Sequence, residues 1–304
     1  MTAVPGLSER ARFGRVEVLP GPNGGRYPCS HTLLVGGASP VVIDPGMTFE
    51  PARFDLDTAK VAVVVNSHCH EDHEGGNHHF PNAHVVAPTE DAPYIRSLDA
   101  YAKAMGFDAE RDAYWRKAMV EVYRFRESPV HREMRDGEVL DAGGVRMRFV
   151  HLPGHTPGHS GIWFEEEDLL FLADIDLTSF GPFYGELFAE IDPFVQSIRR
   201  VRDMNPRIVV TSHGKGIFAG DTLRDALDRY ASKIDERDDL ILKLLTSGPC
   251  TADEIVDAHL IYRRYPEPQA VFRLNELIMI EKHLARLEKL VRVRKEKQLW
   301  SRRD

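Results

Sequence analysis

The 304-residue sequence predicts a layered α/β fold with a smaller helical appendage at the C-terminal end. Two observations lead to this prediction. Short apolar runs bounded by glycine, proline and polar residues are typical of strands buried on both faces. Longer stretches with apolar residues at helical spacing lie between these runs and follow them, and they indicate amphipathic helices that cover the sheets.

The predicted strands divide into an N-terminal and a central set. Continuous or alternating apolar residues with a high proportion of valine and isoleucine mark both sets, and glycines separate the first strands. The predicted strands are residues 16–19, 31–35, 41–43, 62–65 and 84–87, and then residues 145–150, 161–164, 169–173 and 208–210.

Helical periodicity predicts a helical insertion at 91–126 and a helix that Asp192 caps, with Pro193 in its first position, running to about residue 204. Beyond residue 221 the sequence predicts helices at 223–245 and 270–290. Between them Thr251 opens a capping box and a further helix. A short strand is predicted at 291–293. We therefore expect a main α/β domain at 1–221 and a winged-helix-like appendage at 222–304, with Leu284, Leu287 and Leu290 forming a core face.

Composition excludes several classes of protein. The net charge of −8 does not favour nucleic-acid binding by the surface as a whole. Three widely spaced cysteines, Cys29, Cys69 and Cys250, argue against a disulfide framework and against a cysteine-ligated structural zinc. No apolar run approaches the roughly 20 residues that span a bilayer. Because residues 1–15 also lack the apolar stretch of a secretory signal, we expect a cytoplasmic protein with no membrane contact.

Histidines are concentrated in one segment, since six of the fourteen fall between residues 68 and 84. Residues 67–76, SHCHEDHEGG, directly follow a predicted strand. Alternate residues of an extended chain point the same way, so His68 and His70 are expected to bind one ion. Asp72 and His73, one step further round the turn, are expected to face a second ion. Gly75 and Gly76 permit a tight exit from this loop. The alternative is a histidine-rich surface loop without metal.

Three further residues, of types that commonly bind metals, follow other predicted strands. His155 comes after strand 145–150, Asp174 closes strand 169–173, and His213 follows strand 208–210. Ligands of α/β sheets gather at the carboxyl ends of the strands. We therefore expect these three side chains to meet the loop at 67–76, although one such residue alone would be an ordinary turn residue.

These motifs together resemble the metallo-β-lactamase superfamily. The resemblance rests on H-x-H-x-D-H at 68–73, G-H-T-P-G-H at 154–159, an aspartate at 174 and S-H-G at 212–214, and it covers roughly residues 14–220. It implies a four-layer αβ/βα sandwich with the site at one edge. It also implies a ligand set in which His68, His70 and His155 hold one metal, Asp72, His73 and His213 hold the other, and Asp174 bridges both.

The resemblance narrows the function to hydrolysis. Glyoxalase II, lactonases, thioesterases and phosphodiesterases share this pattern, and the tail resembles the winged-helix tail of lactamase-beta-2-like proteins. We expect two divalent ions, with zinc as the default and iron or manganese as alternatives. A hydroxide shared by the ions is expected to attack a small-molecule thioester, lactone or ester, while Asp72 helps to move the proton.

Residues near the motif are given narrower roles. Asp44 is expected to orient a ligand histidine, and His159 is expected to be structural or to orient a ligand. Cys69 should point away from the metals because it alternates with its histidine neighbours. The loop at 178–185 is expected to form a substrate wall or lid, with Tyr184 either donating a hydrogen bond to the substrate oxyanion or simply packing. The remaining histidines of the segment are expected to be packing or surface groups: His78, His79 and His84.

Two other functions remain open from the sequence. From residue 282 to the end, nine Lys or Arg face three Asp or Glu, so a nuclease that uses this basic tail is the rival enzyme. A solvated helix end is the simpler interpretation of the tail. A non-catalytic metal-containing binding protein is the alternative from another class. The helical insertion at 91–126 is expected either to cover the site or to form a homodimer contact.

Overall fold

The computed structural model describes residues 7–37, 39–142 and 144–303, and it contains two large sheets. Strands β1 to β7 form the first sheet in chain order, and β4 to β7 run parallel. Its strands are Ala11–Phe13 (β1), Val16–Leu19 (β2), Thr32–Val35 (β3), Val41–Ile43 (β4), Val63–Val65 (β5), His84–Pro88 (β6) and Arg132–Met134 (β7).

The second sheet has the order β13-β12-β11-β10-β9-β8. Strand β11 pairs parallel with β12 and antiparallel with β10, which is in turn antiparallel to β9, so β9, β11 and β12 share one direction. Its strands are Val139–Asp141 (β8), Arg146–His151 (β9), Ser160–Phe164 (β10), Leu169–Phe171 (β11), Ile208–Val210 (β12) and Ile217–Ala219 (β13).

Helices cover the outer face of each sheet, and a two-stranded wing follows the last helix. No helix in the described part of the chain combines the length and the apolarity that a membrane span needs. The helices and wing strands are Pro22–Gly25 (α1), Glu71–Glu74 (α2), Ala92–Arg96 (α3), Leu98–Met105 (α4), Ala109–Glu121 (α5), Ile191–Met204 (α6), Asp221–Leu244 (α7), Ala252–Asp257 (α8), Gln269–Lys289 (α9), Val293–Glu296 (β14) and Leu299–Arg302 (β15).

The core is divided into layers. One apolar cluster joins the inner faces of the two sheets, for example Ile43 and Val65 with Phe149 and Phe171. A second cluster lies between the first sheet and α3 to α5, and a third lies between the second sheet, α6 and the first half of α7. The order helix, sheet, sheet, helix confirms the predicted four-layer α/β sandwich.

A fourth cluster holds the C-terminal segment together. The second half of α7 packs there with α8, α9 and the wing, and Trp300 of β15 lies in it. Thr251 makes the predicted capping box with Glu254. The predicted boundary at residue 221 coincides with the start of α7, but this one continuous helix contributes to both the third and the fourth cluster.

Three local predictions were wrong. Helix α6 begins at Ile191 after Glu190, so Asp192 lies in the first turn and does not cap the helix. The C-terminal strand lies at Val293–Glu296 and pairs with a second strand that was not predicted. Leu284 and Leu287 are buried, but Leu290 is 54% exposed because it follows the last turn of α9, where the chain leaves the core.

Candidate metal centre

All the predicted ligand residues lie beyond the carboxyl ends of strands. The loop after β5 carries His68, His70, Asp72 and His73, and the last two lie on the single turn α2. The loops after β9, β11 and β12 carry the other three, which are His155, Asp174 and His213. Because the two sheets face each other, these loops meet at one edge of the sandwich.

One group of ligand atoms is formed by His68, His70, His155 and Asp174. The Nδ1 atom of His70 lies 3.1 Å from Nε2 of His68 and 2.9 Å from Nε2 of His155. The Nε2 atom of His155 lies 3.3 Å from Oδ2 of Asp174. Three imidazoles and a carboxylate that converge so closely match the donor set of a zinc or iron site.

A second group is formed by Asp72, His73 and His213, again with Asp174 beside it. The Nε2 atom of His213 lies 3.3 Å from Oδ2 of Asp72 and 3.3 Å from Oδ1 of Asp174. The Nε2 atom of His73 lies 3.0 Å from the same Oδ1. The two oxygens of Asp174 therefore face different groups.

The residues fit bound cations. Oδ2 of Asp72, Nε2 of His73 and Oδ1 of Asp174 are buried and make no hydrogen bond of good geometry, although each lies 3.0–3.3 Å from an atom of another ligand residue. Buried polar atoms without partners are costly unless an ion or another group satisfies them. The site is therefore built to hold metal, and the donor set suits transition metals better than magnesium or calcium.

The electrostatic balance of the second group also favours cations. Burial tends to lower the pKa of His73 and His213, but the carboxylates of Asp174 and Asp72 outweigh burial and raise both values well above the ordinary range. The same interactions hold the pKa of Asp174 well below its usual range against the effect of burial. The group thus presents anionic carboxylates that stabilise positive charge between them.

Each ligand histidine is oriented by a hydrogen bond on the ring nitrogen that faces away from the cluster. Such partners fix the tautomer and the ring direction of a ligand histidine. The outward contacts are His68 Nδ1 to Ser67 Oγ (2.9 Å), His70 Nε2 to Glu186 Oε2 (3.0 Å), His73 Nδ1 to Asp44 Oδ2 (2.9 Å), His155 Nδ1 to the Phe183 carbonyl (3.0 Å) and His213 Nδ1 to the Gly25 carbonyl (2.8 Å).

Asp44 lies beneath the loop, in the orienting position expected from the sequence. Its carboxylate accepts hydrogen bonds from the Ser67 amide (2.7 Å) and hydroxyl (2.6 Å) and contacts Nδ1 of His73. Asp44 could itself form a ligand group with His68 and His73. Its contact with the outward nitrogen of His73 instead makes it an orienting group for that ligand.

Asp91 is a positioning residue that the sequence patterns did not identify. Its carboxylate accepts hydrogen bonds from the amides of Cys69 (3.1 Å) and Gly158 (2.6 Å) and from the Thr156 hydroxyl (2.5 Å). It therefore ties the loop of His70 to the loop of His155. The signal available in the sequence was only an aspartate before a predicted helix, which is usually a cap.

Other residues of the motif have structural roles. His159 is fully buried, donates through Nδ1 to the Leu152 carbonyl and accepts through Nε2 from the Asp174 amide (3.2 Å), so it positions that ligand's backbone. The Cys69 side chain packs in the core between the first sheet and its helices. Gly76 has a negative φ of −91°, and an added Cβ would lie 2.5 Å from the Pro45 carbonyl, so close packing requires the glycine. The other histidines lie outside the ligand groups: His78, His79 and His84.

A cavity of about 1620 Å³ opens over the ligand groups. The predicted wall at 178–185 contributes Thr178, Phe180 and Phe183. The helical insertion contributes Trp115 and Met119, so it covers part of the site. The C-terminal segment adds a wall that was not predicted, which consists of Tyr262, Val271, Phe272 and Asn275.

The oxyanion role predicted for Tyr184 is wrong. Its side chain is fully buried and does not line the cavity. The hydroxyl accepts a hydrogen bond from Nη1 of Arg237 (2.8 Å) and donates one to Nε2 of His283 (2.6 Å). Tyr184 thus points from the loop toward α7 and α9 rather than toward the ligand groups.

Comparisons with known proteins agree with this geometry. Residues 24–213 match the family model described as the metallo-beta-lactamase superfamily. An atrochrysone carboxyl ACP thioesterase of Aspergillus fumigatus is 23% identical over 78% of this chain and 69% of its own length. A hydroxyacylglutathione hydrolase of Methylococcus capsulatus is 23% identical over 77% of this chain and 80% of its own.

Solved structures extend the likeness to the C-terminal segment. A metallo-beta-lactamase family protein from Thermus thermophilus is 25% identical with a TM-score of 0.75, covering 96% of this chain and 100% of that chain. A beta-lactamase domain protein from Burkholderia ambifaria is 22% identical with a TM-score of 0.71, covering 99% and 96%. The helical appendage therefore belongs to a fold that both of these structures share.

Proposed function

The chain belongs to the metallo-beta-lactamase superfamily and is a metal-dependent hydrolase, and we propose that it uses two metal ions to hydrolyse an ester-like bond, namely a thioester, lactone or ester. The observation that carries the proposal is the cluster of unpartnered ligand atoms at the floor of an open cavity. We propose zinc as the metal, with iron or manganese as alternatives, since imidazole and carboxylate ligands suit all three.

The walls of the cavity support an acyl substrate. Tyr27, Trp115, Phe183 and Phe272 present aromatic surface around the ligand groups. Substrate pockets are usually apolar with a few convergent polar groups, and a volume above the usual several hundred Å³ leaves room for a substantial acyl or carrier group. The names of the relatives, a thioesterase and a hydroxyacylglutathione hydrolase, point to the same class of bond.

The reaction needs an activated water and a stabilised oxyanion. Divalent ions, when bound, supply Lewis acidity that lowers the pKa of water toward neutrality and polarises a carbonyl oxygen. Asp72 is placed to take part in proton transfer, because its carboxylate lines the cavity floor, with Oδ2 3.3 Å from Nε2 of His213. A substrate seated against the aromatic walls would displace water from the cavity, which would strengthen the electrostatic interactions inside the site.

A substrate panel tests this proposal. Protein loaded with zinc, iron or manganese is assayed with matched thioesters, lactones, esters and phosphodiesters. We expect turnover of an acyl substrate, and we expect Asp72→Asn to lower kcat by about 10²–10⁴-fold because proton transfer and a ligand are both impaired. The exposed Asp239→Asn serves as the control. Turnover of phosphodiesters alone would overturn the proposal.

The rival nuclease has less support from the cavity. None of the described residues 292–303, which carry most of the basic tail, lines it. Binding of RNA that weakens with salt and is lost on deletion of residues 289–304, together with phosphodiester turnover, would favour the nuclease over the acyl hydrolase.

A further inference from the structure

We propose that Glu186 and Lys282 are positioning residues through which helix α9 of the C-terminal segment sets the metal affinity of one ligand group, that of His68, His70 and His155. This inference rests on the proposed metal site but not on the substrate. It assigns the C-terminal segment a role inside the metal centre rather than a separate binding function.

One short segment, residues 183–186, provides the orienting acceptors for two of the three histidines. The Phe183 carbonyl accepts from Nδ1 of His155 (3.0 Å), and Oε2 of Glu186 contacts Nε2 of His70 (3.0 Å). The Glu186 carboxylate is held in place by the buried Tyr101 hydroxyl, which donates to both of its oxygens (3.1 and 3.2 Å). The position of this segment therefore determines the direction of two ligand rings.

Helix α9 holds the segment through consecutive residues. The ammonium group of Lys282 donates to the carbonyls of Tyr184 (3.0 Å) and Glu186, which both lie in the segment that carries the two acceptors. His283 accepts from the Tyr184 hydroxyl (2.6 Å). Residues 183–186 belong to no helix or strand, so their backbone lacks the hydrogen bonds that hold a strand in a sheet. The side chains of α9 supply hydrogen bonds in their place.

Helix α7 holds the beginning of the same loop. Arg237 donates through Nη1 to the Pro182 carbonyl (2.7 Å) and through Nη2 to the Phe180 carbonyl (2.6 Å). Arg237 is nine-tenths or more buried, so these charge-assisted bonds lie largely out of solvent. The loop is thus held by the C-terminal helices along its length, and Lys282 acts at the end nearest the ligands.

The histidines of the other ligand group are oriented from the N-terminal half of the chain. The outward nitrogen of His73 contacts Asp44, which follows β4, and that of His213 contacts the carbonyls of Gly25 and Cys29. All three of these partners lie in the N-terminal half of the chain. Changes in α9 should therefore affect one metal position and spare the other.

Metal titration of the full-length protein tests the proposal. Zinc-free protein is titrated with zinc against a chromophoric chelator, which reports two affinities without any substrate. We expect Glu186→Ala to weaken one equivalent by about 10–100-fold, the usual effect of losing the partner of a ligand histidine, and to leave the other unchanged. Glu186→Gln should restore most of the affinity, because its amide oxygen still accepts from His70.

Double variants, in which Glu186→Ala is combined with the loss of a ligand histidine, identify which metal position is affected. If Glu186 acts on the group of His155, the double variant of Glu186→Ala and His155→Ala should lose no more zinc affinity than His155→Ala alone. The double variant of Glu186→Ala and His213→Ala should instead bind both zinc equivalents more weakly. Lys282→Met should weaken the same equivalent to a smaller extent. The matched control is Arg273→Met, which removes a basic residue of α9 whose ion pairs reach only Asp253 and Asp257.

Two results would overturn the inference. One is wild-type affinity for both equivalents in Glu186→Ala. The other is equal weakening of both equivalents in Lys282→Met and Arg273→Met, which would indicate general destabilisation. Protein that binds two zinc ions as described but hydrolyses no acyl substrate would instead contradict the proposed function and leave this inference standing.

Discussion

Asp44 shows how one side chain can fix several groups of the metal centre. It has a φ of 52°, in the left-handed region, and its two oxygens contact the Ser67 amide, the Ser67 hydroxyl and the His73 ring. Asparagine tolerates this backbone region about as well as aspartate, and it keeps one acceptor oxygen. Replacement by asparagine therefore alters the hydrogen bonding with little backbone strain.

We expect Asp44→Asn to weaken the metal position of Asp72, His73 and His213 by about 10–100-fold. The one amide oxygen is needed where Oδ1 accepts from the Ser67 amide, so the amide nitrogen takes the place of Oδ2 and cannot accept from the His73 ring. The measurement is the same two-affinity zinc titration. Asp57→Asn is the control, since this exposed side chain only caps the 3₁₀ turn Thr58–Lys60 and pairs with Lys60 at the surface. A pattern in which Asp44→Asn and Glu186→Ala weaken the same equivalent would contradict the assignment of each residue to its own group.

Residue roles were predictable where a strand end fixes them and not where a loop does. His68 follows β5 of the first sheet and His155 follows β9 of the second, and both residues lie beyond the carboxyl end of their strand, where ligand residues gather. Tyr184 and Glu186 lie in an irregular loop, where periodicity gives no information on side-chain direction. The aromatic Tyr184 was therefore wrongly placed at the substrate, and the acidic Glu186, which contacts a ligand, was overlooked.

Helices α7 and α9 are joined by a buried polar network at His283. The neutral ring is fully hydrogen-bonded, since Nδ1 contacts Asp238 (2.7 Å) and Nε2 accepts from Tyr184 (2.6 Å). Asp238 is also paired with Arg286. Burial, together with the positive charge of Arg237, lowers the pKa of His283 to about 3.

This pKa predicts how stability depends on pH. In the unfolded chain His283 becomes protonated below its ordinary pKa of about 6.5, whereas in the folded chain it does so only near 3. Its contribution to the free energy of unfolding is therefore complete above pH 6.5 and is lost as pH falls from 6.5 toward 3. We expect wild-type protein to lose about 1.4 kcal/mol more than His283→Gln between pH 7.5 and 5.5. Urea unfolding of zinc-free protein at both values measures this difference. An equal loss in the two proteins would indicate that His283 is not buried as a neutral ring.

Elements with strong local signals were predicted well. Strands β4 and β5 consist of valines and an isoleucine that are buried on both faces, apart from the half-buried Val63, which is why their sequence alone identified them. The capping box at Thr251 was predicted because a threonine followed by a glutamate three residues later is a specific signal of a helix start. The start of α6 was predicted wrongly because Asp192 followed by Pro193 is a common sequence for a cap and first helical residue. In the structure Ile191 packs in the core and is already the first residue of the helix.

At the scale of the whole molecule, the metal centre joins the two halves of the sandwich. His68, His70, Asp72 and His73 come from the first sheet, and His155, Asp174 and His213 come from the second. Their convergence could be predicted because each follows a strand. The wall of the cavity that α9 supplies could not be predicted, because Phe272 and Asn275 approach the site only through long-range packing.

Because the ligands come from both sheets, metal binding should stabilise the whole fold. Ions that bind the folded chain alone contribute about 4 kcal/mol per site at a thousandfold excess over Kd. We expect zinc-free protein to unfold several degrees below the zinc-loaded form, since each kcal/mol shifts Tm by about 2 °C in a domain of this size. The measurement is thermal unfolding with and without a chelator.

Two histidine variants make this test specific. His155→Gln removes a ligand that follows β9 and should reduce the zinc-dependent shift in Tm. His79→Gln changes a half-buried histidine outside the ligand groups and should keep the full shift. If both variants respond to zinc as the wild type does, the ion would not connect the sheets through His155, and the ligand set inferred from the convergence of the strand ends would have to be revised.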